Sequence, residues 1–284
     1  MIVKMAGIVV VFDFDKTIID CESDNWLVDE LGMTDLFNEL LPTMPWNTLM
    51  DTIMKELHSQ GRTIADIVEC LKRAPLHPRI ISAIKSAHAL GCDLKIVSDA
   101  NKFYIDTILE HHGLTDYFSE IQTNPAFVDE EGKLRIFPYC ECFTTHPHGC
   151  GNFCAPNMCK GAPTEQIRDS GLVEGKKRFI YLGDGKGDFC PSSKLGERDF
   201  VMPRKDYPVW ELICNNPMSI KAEVHGWSDG EELKQILLHL IETIIYENGN
   251  NSNLEKFILT DCKSEIINLL STHTDFPQAL PVPH

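Results

Sequence analysis

Long apolar stretches are missing from this chain. No run reaches the ~18 residues that a membrane-spanning helix needs, so no membrane partner is expected. No export leader is expected: the N-terminal run IVVVF is too short for the apolar part of a signal peptide, and no small-residue cleavage site follows it. The expected compartment is therefore cytoplasmic. Positive charge is scarce, with 26 Lys and Arg against 42 Asp and Glu and a formal net charge of -16. That balance opposes non-specific binding to nucleic acid or to anionic lipid, since both are polyanions. It also means that an anionic ligand would need local positive charge, from a metal or a lysine. Internal repeats are absent, so repeat architectures are not expected.

What is present suits a globular protein. The 284 residues fit one large domain, or a core with a sizeable insertion. Hydrophobic residues make up 43%, enough to build a core, so global disorder is not expected. Eleven cysteines need a role. In a reducing compartment they are thiols or metal ligands rather than disulfides.

Short β-rich runs alternate with helical patterns. Strands are expected at GIVVVF (7–12), DLKIVS (93–98), FSEIQT (118–123), RFIYLG (178–183) and DFVMP (199–203). Helices are expected at 79–90, 102–112, 160–170, 206–214 and 229–247, the last with Asp229 as N-cap. Continuous apolar strands separated by helices imply a Rossmann-like parallel sheet with helices on both faces, an α/β fold. KLRIFPY (133–139) reads as part of a hairpin flap outside that sheet. Residues 21–75 carry no strand signal and read as three helices, around 24–41, 46–60 and 63–73. Inserted after the first strand, they would form a cap over its carboxyl end, where open α/β sheets bind ligands. The expected organisation is a core of 1–20 and 76–247, a helical cap of 21–75 and a Cys/His-rich flap at 133–159. The linker-like NGNNSN opens a tail at 248–284, which could serve oligomer contacts.

The first strand ends on FDFDKTIID, with Asp13 and Asp15 two positions apart. Asp suits turns and N-caps, but two like charges at a strand end repel unless a cation or a shared proton relieves them. A hard divalent cation such as Mg²⁺ would do so. A second acidic strand end, YLGDGKGD, carries Asp184 and Asp188 among glycines that permit a tight loop. A parallel sheet places two such ends along one edge. A third strand ends in IVSDA, where Ser98 offers a hydroxyl and adjoining amides could cradle an anion. Lys160 opens a helix in MCKG.

In order, DFDKT, VSDA, a lysine and GDGKGD resemble the motifs of the haloacid dehalogenase-like phosphatases. The likeness to one subgroup runs further, from about residue 9 to 245. FDFDKTIIDCESDNW, VSDANKF, CAPNMCKG, YLGDGKGDFCP and MPRKDYPVW resemble the phosphoethanolamine/phosphocholine phosphatase family with its plant pyrophosphatase members. LLPTMPWNTLM and IKSAHALGC resemble the plant members in particular.

The resemblance implies a Mg²⁺-dependent phosphatase acting on a small soluble phosphate compound: phosphoethanolamine, phosphocholine or pyrophosphate. Asp13 would attack phosphorus and become an aspartyl-phosphate. Asp15 would protonate the leaving oxygen and then deprotonate the hydrolytic water. Mg²⁺ would be held by Asp13, the backbone carbonyl of Asp15 and Asp184, with Asp188 fixing the loop or a metal-bound water and Thr17 steadying the turn. Ser98 and Lys160 would hold phosphoryl oxygens. Asp24 and Asp99 match substrate contacts of the related phosphatases, and carboxylates there would favour an ammonium head group. Asp24 also reads as an N-cap of the first cap helix. Pyrophosphate has no cationic end and would need a second metal near these carboxylates, yet the family includes members that prefer it. A phosphomutase, or a zinc-dependent interaction protein on a phosphatase-like core, are the alternatives.

Residues 140–159 hold Cys140, Cys142, His146, His148, Cys150, Cys154 and Cys159. His148, Cys150, Cys154 and Cys159 could supply a tetrahedral structural Zn²⁺ site. The family motif usually has two residues between the first two cysteines, where this chain has three, Gly151 to Phe153. Reduced thiols in a flap are the alternative, and thiolates are too soft to be the Mg²⁺ site. Trp26 and Trp46 read as core packing. Arg204 and Lys205 could add positive charge near the site or be solvated, and His77 reads as a surface or capping residue.

Overall fold

The structure, a computed structural model, describes residues 7–140, 150, 154–172 and 177–249. The first strand, β1 (Ile8–Phe12), is followed by five helices: α1 (Ser23–Glu30), α2 (Thr34–Leu40), α3 (Trp46–Ser59), α4 (Ile64–Leu71) and α5 (Pro78–Ala89). Then come β2 (Asp93–Asn101), α6 (Lys102–His111), β3 (Phe118–Asn124), β4 (Ala126–Val128), β5 (Leu134–Ile136) and α7 (Gly161–Leu172). The last stretch holds β6 (Arg178–Gly183), α8 (Phe189–Lys194), β7 (Phe200–Pro203), α9 (Pro208–Asn215), β8 (Glu223–Val224) and α10 (Gly230–Gly249).

Every residue of β1 is buried, and its alternation divides it between two cores. Ile8, Val10 and Phe12 join one, Val9 and Val11 the other. A strand apolar on both faces belongs inside a parallel sheet, and the sheet runs β3-β2-β1-β6-β7-β8 with every pairing parallel. Side chains of α5, α6 and α10 pack in the first core and those of α7, α8 and α9 in the second. The chain leaves β1 in one direction to reach β2 and β3, then in the other to reach β6, β7 and β8. β1 and β6 therefore flank the switch point, where the crevice of an open α/β sheet forms. Phe12 pairs with Leu182, so the two acidic loops start side by side.

The five expected strands form, and Asp229 caps α10, its Oδ1 accepting the amides of Glu231 (3.0 Å) and Glu232 (2.9 Å). His77 caps α5 through its ring nitrogen, which accepts the Arg79 amide at 3.2 Å. β4 and β5 form an antiparallel hairpin outside the main sheet. Arg135 of this hairpin grips Asp51 of α3 at 2.8 and 3.1 Å.

One reading needs correction. The helix expected at 24–41 is two, α1 and α2, because Gly32 turns the chain with φ +74°, a conformation that suits a residue without Cβ. Two short elements, α8 and β8, had no periodic signal to betray them. Cys142, His146 and His148 of the flap, and the tail from 250 onward, lie outside the described residues. Among the described residues, no helix is long and apolar enough to cross a membrane.

Candidate active site

The turn after β1 is built by the sequence that follows it. The Asp13 amide donates to the Leu182 carbonyl (2.9 Å), extending the β1–β6 ladder by one residue. Lys16 then takes φ 54°, and the amides of Thr17, Ile18 and Ile19 converge on the Phe14 carbonyl. Arg204, beyond β7, locks this turn from outside. Its guanidinium donates to the Lys16 carbonyl (2.5 Å) and to Asp20 (3.0 Å), and it lies over the rings of Tyr207 and Trp227 at 4.6 and 5.0 Å. Lys205 pairs with Glu232 instead. Neither cation borders the cavity described below, and each is paired with a carboxylate rather than left to solvent.

Lys160 is the centre of the polar network. Its buried ammonium lies 2.8 Å from Asp13 Oδ2, 2.9 Å from Asp99 Oδ1 and 3.2 Å from Asp188 Oδ1. Asp188 commits both oxygens to protein donors. Oδ1 also accepts the Tyr181 hydroxyl (2.7 Å), and Oδ2 accepts the amides of Asp184 (3.1 Å) and Gly185 (2.8 Å). This closeness requires glycine at 183, where a Cβ would stand 2.4 Å from the Asp188 carboxyl carbon. Asp13 Oδ1 accepts the Phe14 amide at 2.7 Å, and Asp184 accepts the Thr17 hydroxyl at 3.3 Å.

Negative charge exceeds what Lys160 and Lys186, the two lysines on the cavity wall described below, can balance. Burial and then Asp188 push the Asp13 carboxyl well above its usual range, despite Lys160. Burial, with Asp188 beside it, pushes Asp184 up to about 8. Burial, Glu22 and Asp24 hold Asp15 well above its ordinary value. Burial raises Asp99 too, but the Lys160 ammonium outweighs it and holds Asp99 low. Burial works against the Lys160 charge, yet Asp13, Asp188 and Asp99 together raise its pKa well above normal. Oxygens of Asp13, Asp184 and Asp188 lie within 4.8 Å of one another. Hard carboxylate donors with uncompensated charge fit a divalent cation such as Mg²⁺.

A cavity of about 350 Å³ opens here, bordered by Asp13, Asp15, Asp99, Lys160, Asp184 and Glu22. A smaller space of about 80 Å³ adjoins it, bordered by Asp15, Glu22, Asp24, Asp99 and Trp46. Asp13, Asp15, Asp99, Lys160 and Asp184 therefore converge as the sequence led us to look for. Asp24 borders only the smaller space. It lies in the first turn of α1, whose N-cap is Glu22, so it is not the cap residue. Thr17, Ser98 and Asp188 are fully buried and do not line the cavity, and Ser98 Oγ accepts the Ala100 amide at 3.2 Å.

Trp46 is a correction: it is 40% exposed rather than core, because α3 begins at this residue on the rim. Its indole N–H donates to Asp24 Oδ2 at 2.6 Å. Trp26 does pack against the core. Sequence reasoning missed Glu22, although it stands in the acidic CESD, and Cys190, two residues past Asp188 in the quoted GDFCP. Cys150, Cys154 and Cys159 gather with Cys190, while His148 lies outside the described residues.

Carboxylates around a buried ammonium, at the switch point of such a sheet, place the protein among the haloacid dehalogenase-like hydrolases. A HAD family hydrolase from Salmonella enterica serovar Typhi shares the fold with a TM-score of 0.56 at 18% identity, over 84% of this chain and 72% of that one. The chain belongs to the family described as Putative Phosphatase, which it matches over residues 8–241. It is 56% identical to inorganic pyrophosphatase 1 of Arabidopsis thaliana, across 95% of this chain and 91% of that protein. It is 57% identical to a thiamine phosphate phosphatase-like protein of the same plant, across 87% of this chain and all of that one, 100%.

Proposed function

We propose that this hydrolase is a Mg²⁺-dependent phosphatase that passes the phosphoryl group of a small soluble phosphate compound through Asp13 to water. The observation that carries this reading is the pairing of Asp13 with Lys160 at 2.8 Å on the wall of one cavity. An oxygen of Asp13 attacks phosphorus, and the bond to the leaving oxygen breaks. Asp15 gives that oxygen its proton. Its raised pKa supports the role, since a general acid must hold a proton near neutral pH. Water then attacks the aspartyl-phosphate, Asp15 takes the water's proton, and phosphate leaves with Asp13 restored. Lys160 holds phosphoryl oxygens throughout. Ser98, buried behind the cavity wall, steadies the carboxyl end of β2 by accepting the Ala100 amide. Asp13, the backbone carbonyl of Asp15 and Asp184 would hold Mg²⁺, which when bound offsets carboxylate charge and that of the transferring group. Asp188 fixes Lys160 and the glycine loop. Residues 21–75 act as the cap.

Two substrate readings have support. Four carboxylates and Trp46 around the smaller space suit a cationic head group, as in phosphoethanolamine or phosphocholine. Inorganic pyrophosphate is favoured by the name of the 56% identical relative. It is favoured too because Asp99 is paired with Lys160 and burial lifts Asp24 to about 7, which removes much of that negative charge. Initial rates of phosphate release from pyrophosphate and phosphoethanolamine, side by side with Mg²⁺ and with the pyrophosphate value halved, separate the two. Failure to release phosphate from either, or from phosphocholine, refutes the phosphatase reading.

A further inference from the structure

Four thiols meet beside the cavity. Cys150 and Cys159 place their sulphurs 3.1 Å apart, Cys154 and Cys159 3.6 Å, Cys150 and Cys190 3.7 Å, and Cys159 and Cys190 3.8 Å. A disulfide needs ~2.0 Å. Four thiolates around Zn²⁺, each at ~2.3 Å, occupy tetrahedron corners about 3.8 Å apart. Three of the four separations lie close to that edge. All four sulphurs fall within 4.8 Å of one another, so they surround one point rather than forming a row.

The backbone is shaped to allow this. Gly161 follows Lys160, and a Cβ there would stand 2.5 Å from the Cys190 sulphur and 3.5 Å from that of Cys159. A side chain at 161 would push α8 away and open the cluster. The cluster also contributes to the wall of the larger cavity, through Cys154. Cys159 directly precedes Lys160, and Cys190 lies two residues beyond Asp188, so the two cysteines flank the 3.2 Å contact between that lysine and that aspartate.

We infer that Cys150, Cys154, Cys159 and Cys190 form a structural Zn²⁺ site that ties the segment carrying Lys160 to the loop carrying Asp184 and Asp188. Cys190 takes the place that the sequence reading gave to His148. Four protein sulphurs fill a tetrahedral shell and leave no position for water or substrate, so the ion is structural rather than catalytic. The soft donors also separate it from the carboxylate site, which selects a hard cation. Three ligands come from ten residues of sequence and the fourth lies 31 positions beyond Cys159, past the acidic glycine loop. The ion thus acts as a staple between two loops that no strand pairing joins.

The test is metal content, read without any assay of phosphate release, so it stands apart from the proposed reaction. Untagged full-length protein should carry about one Zn²⁺ per chain by plasma emission, released as a mercurial titrates the cluster thiols. Replacing that ion with Co²⁺ should give the thiolate-to-cobalt charge-transfer absorption of a tetrahedral site, a readout that needs no variant. Cys190→Ser should weaken retention against a competing chelator by at least about tenfold, whereas His148→Ala should keep the metal. Zinc far below stoichiometric together with no tetrahedral Co²⁺ spectrum overturns the site. A disulfide between any two of the four in freshly purified protein overturns it as well. Loss of zinc from His148→Ala but not from Cys190→Ser overturns the ligand assignment.

Discussion

Asp13 and Lys160 lie 2.8 Å apart with both side chains buried. Asp13→Asn keeps the shape and the amide contact but removes the oxygen proposed to attack phosphorus. Phosphate release should fall by at least about a thousandfold, with circular dichroism and the unfolding midpoint close to wild type. Turnover near wild type would remove Asp13 from the nucleophile's role. Asp24 invites a different measurement. Burial raises its pKa to about 7, while an unfolded chain ionises it near 3.8. The unfolded state therefore loses this proton first. Stability is lost as pH rises from near 4 to near 7, and the loss is constant above that. Asp24→Asn has no such proton. The stability of the variant relative to wild type should rise by about 2 kcal/mol between roughly pH 5.5 and pH 8, read by urea unfolding of both proteins. A difference that does not change with pH would mean that the carboxylate reaches water.

At the scale of elements, the turn after β1 is held by a side chain from the other half of the sheet. Arg204 reaches the Lys16 carbonyl across 188 positions of sequence and lies between two rings. Lysine at this position keeps the charge but loses the planar fork and its stacking. Arg204→Lys should cost about 1–3 kcal/mol in denaturant unfolding and lower phosphate release together with it, because the turn carries Asp13 and Asp15. Unchanged stability and rate would mean that the turn holds its shape without the Arg204 fork. The same contact shows why part of this molecule was readable beforehand and part was not. β1 and β6 announce themselves through local composition, and the acidic loops that end them are contiguous motifs. The break at Gly32 was visible as a glycine but not as a turn, since helical spacing continues on both sides of it. Trp46, Arg204 and Cys190 owe their roles to partners 22, 188 and 40 positions away. Periodicity carries no information over such distances. Thus β1, β6 and their motifs could be read, while the clamp, the rim and the fourth thiol could not.

For the whole molecule the decisive quantity is the formal charge of -16, spread over a chain whose cavity is itself acidic. Such a field repels an anionic substrate at long range, even though in the proposed mechanism Lys160 attracts its phosphoryl group at contact. Salt weakens the first effect far more than the second, because the Debye length falls to ~10 Å at 0.1 M while the buried contact is shielded from ions. With Mg²⁺ saturating, kcat/KM for pyrophosphate should therefore rise a few-fold as salt is added from low ionic strength. Phosphoethanolamine carries an ammonium that offsets part of its phosphate charge, so its kcat/KM should change less. If the acidic space beside Asp24 holds that ammonium, added salt should even lower it, since an attraction is then being screened. Opposite responses of the two substrates would show that one field steers both. Two flat responses would mean that the acidic surface lies away from the mouth of the cavity, and that selection between substrates is made entirely at contact, by Lys160, Asp24 and the proposed Mg²⁺.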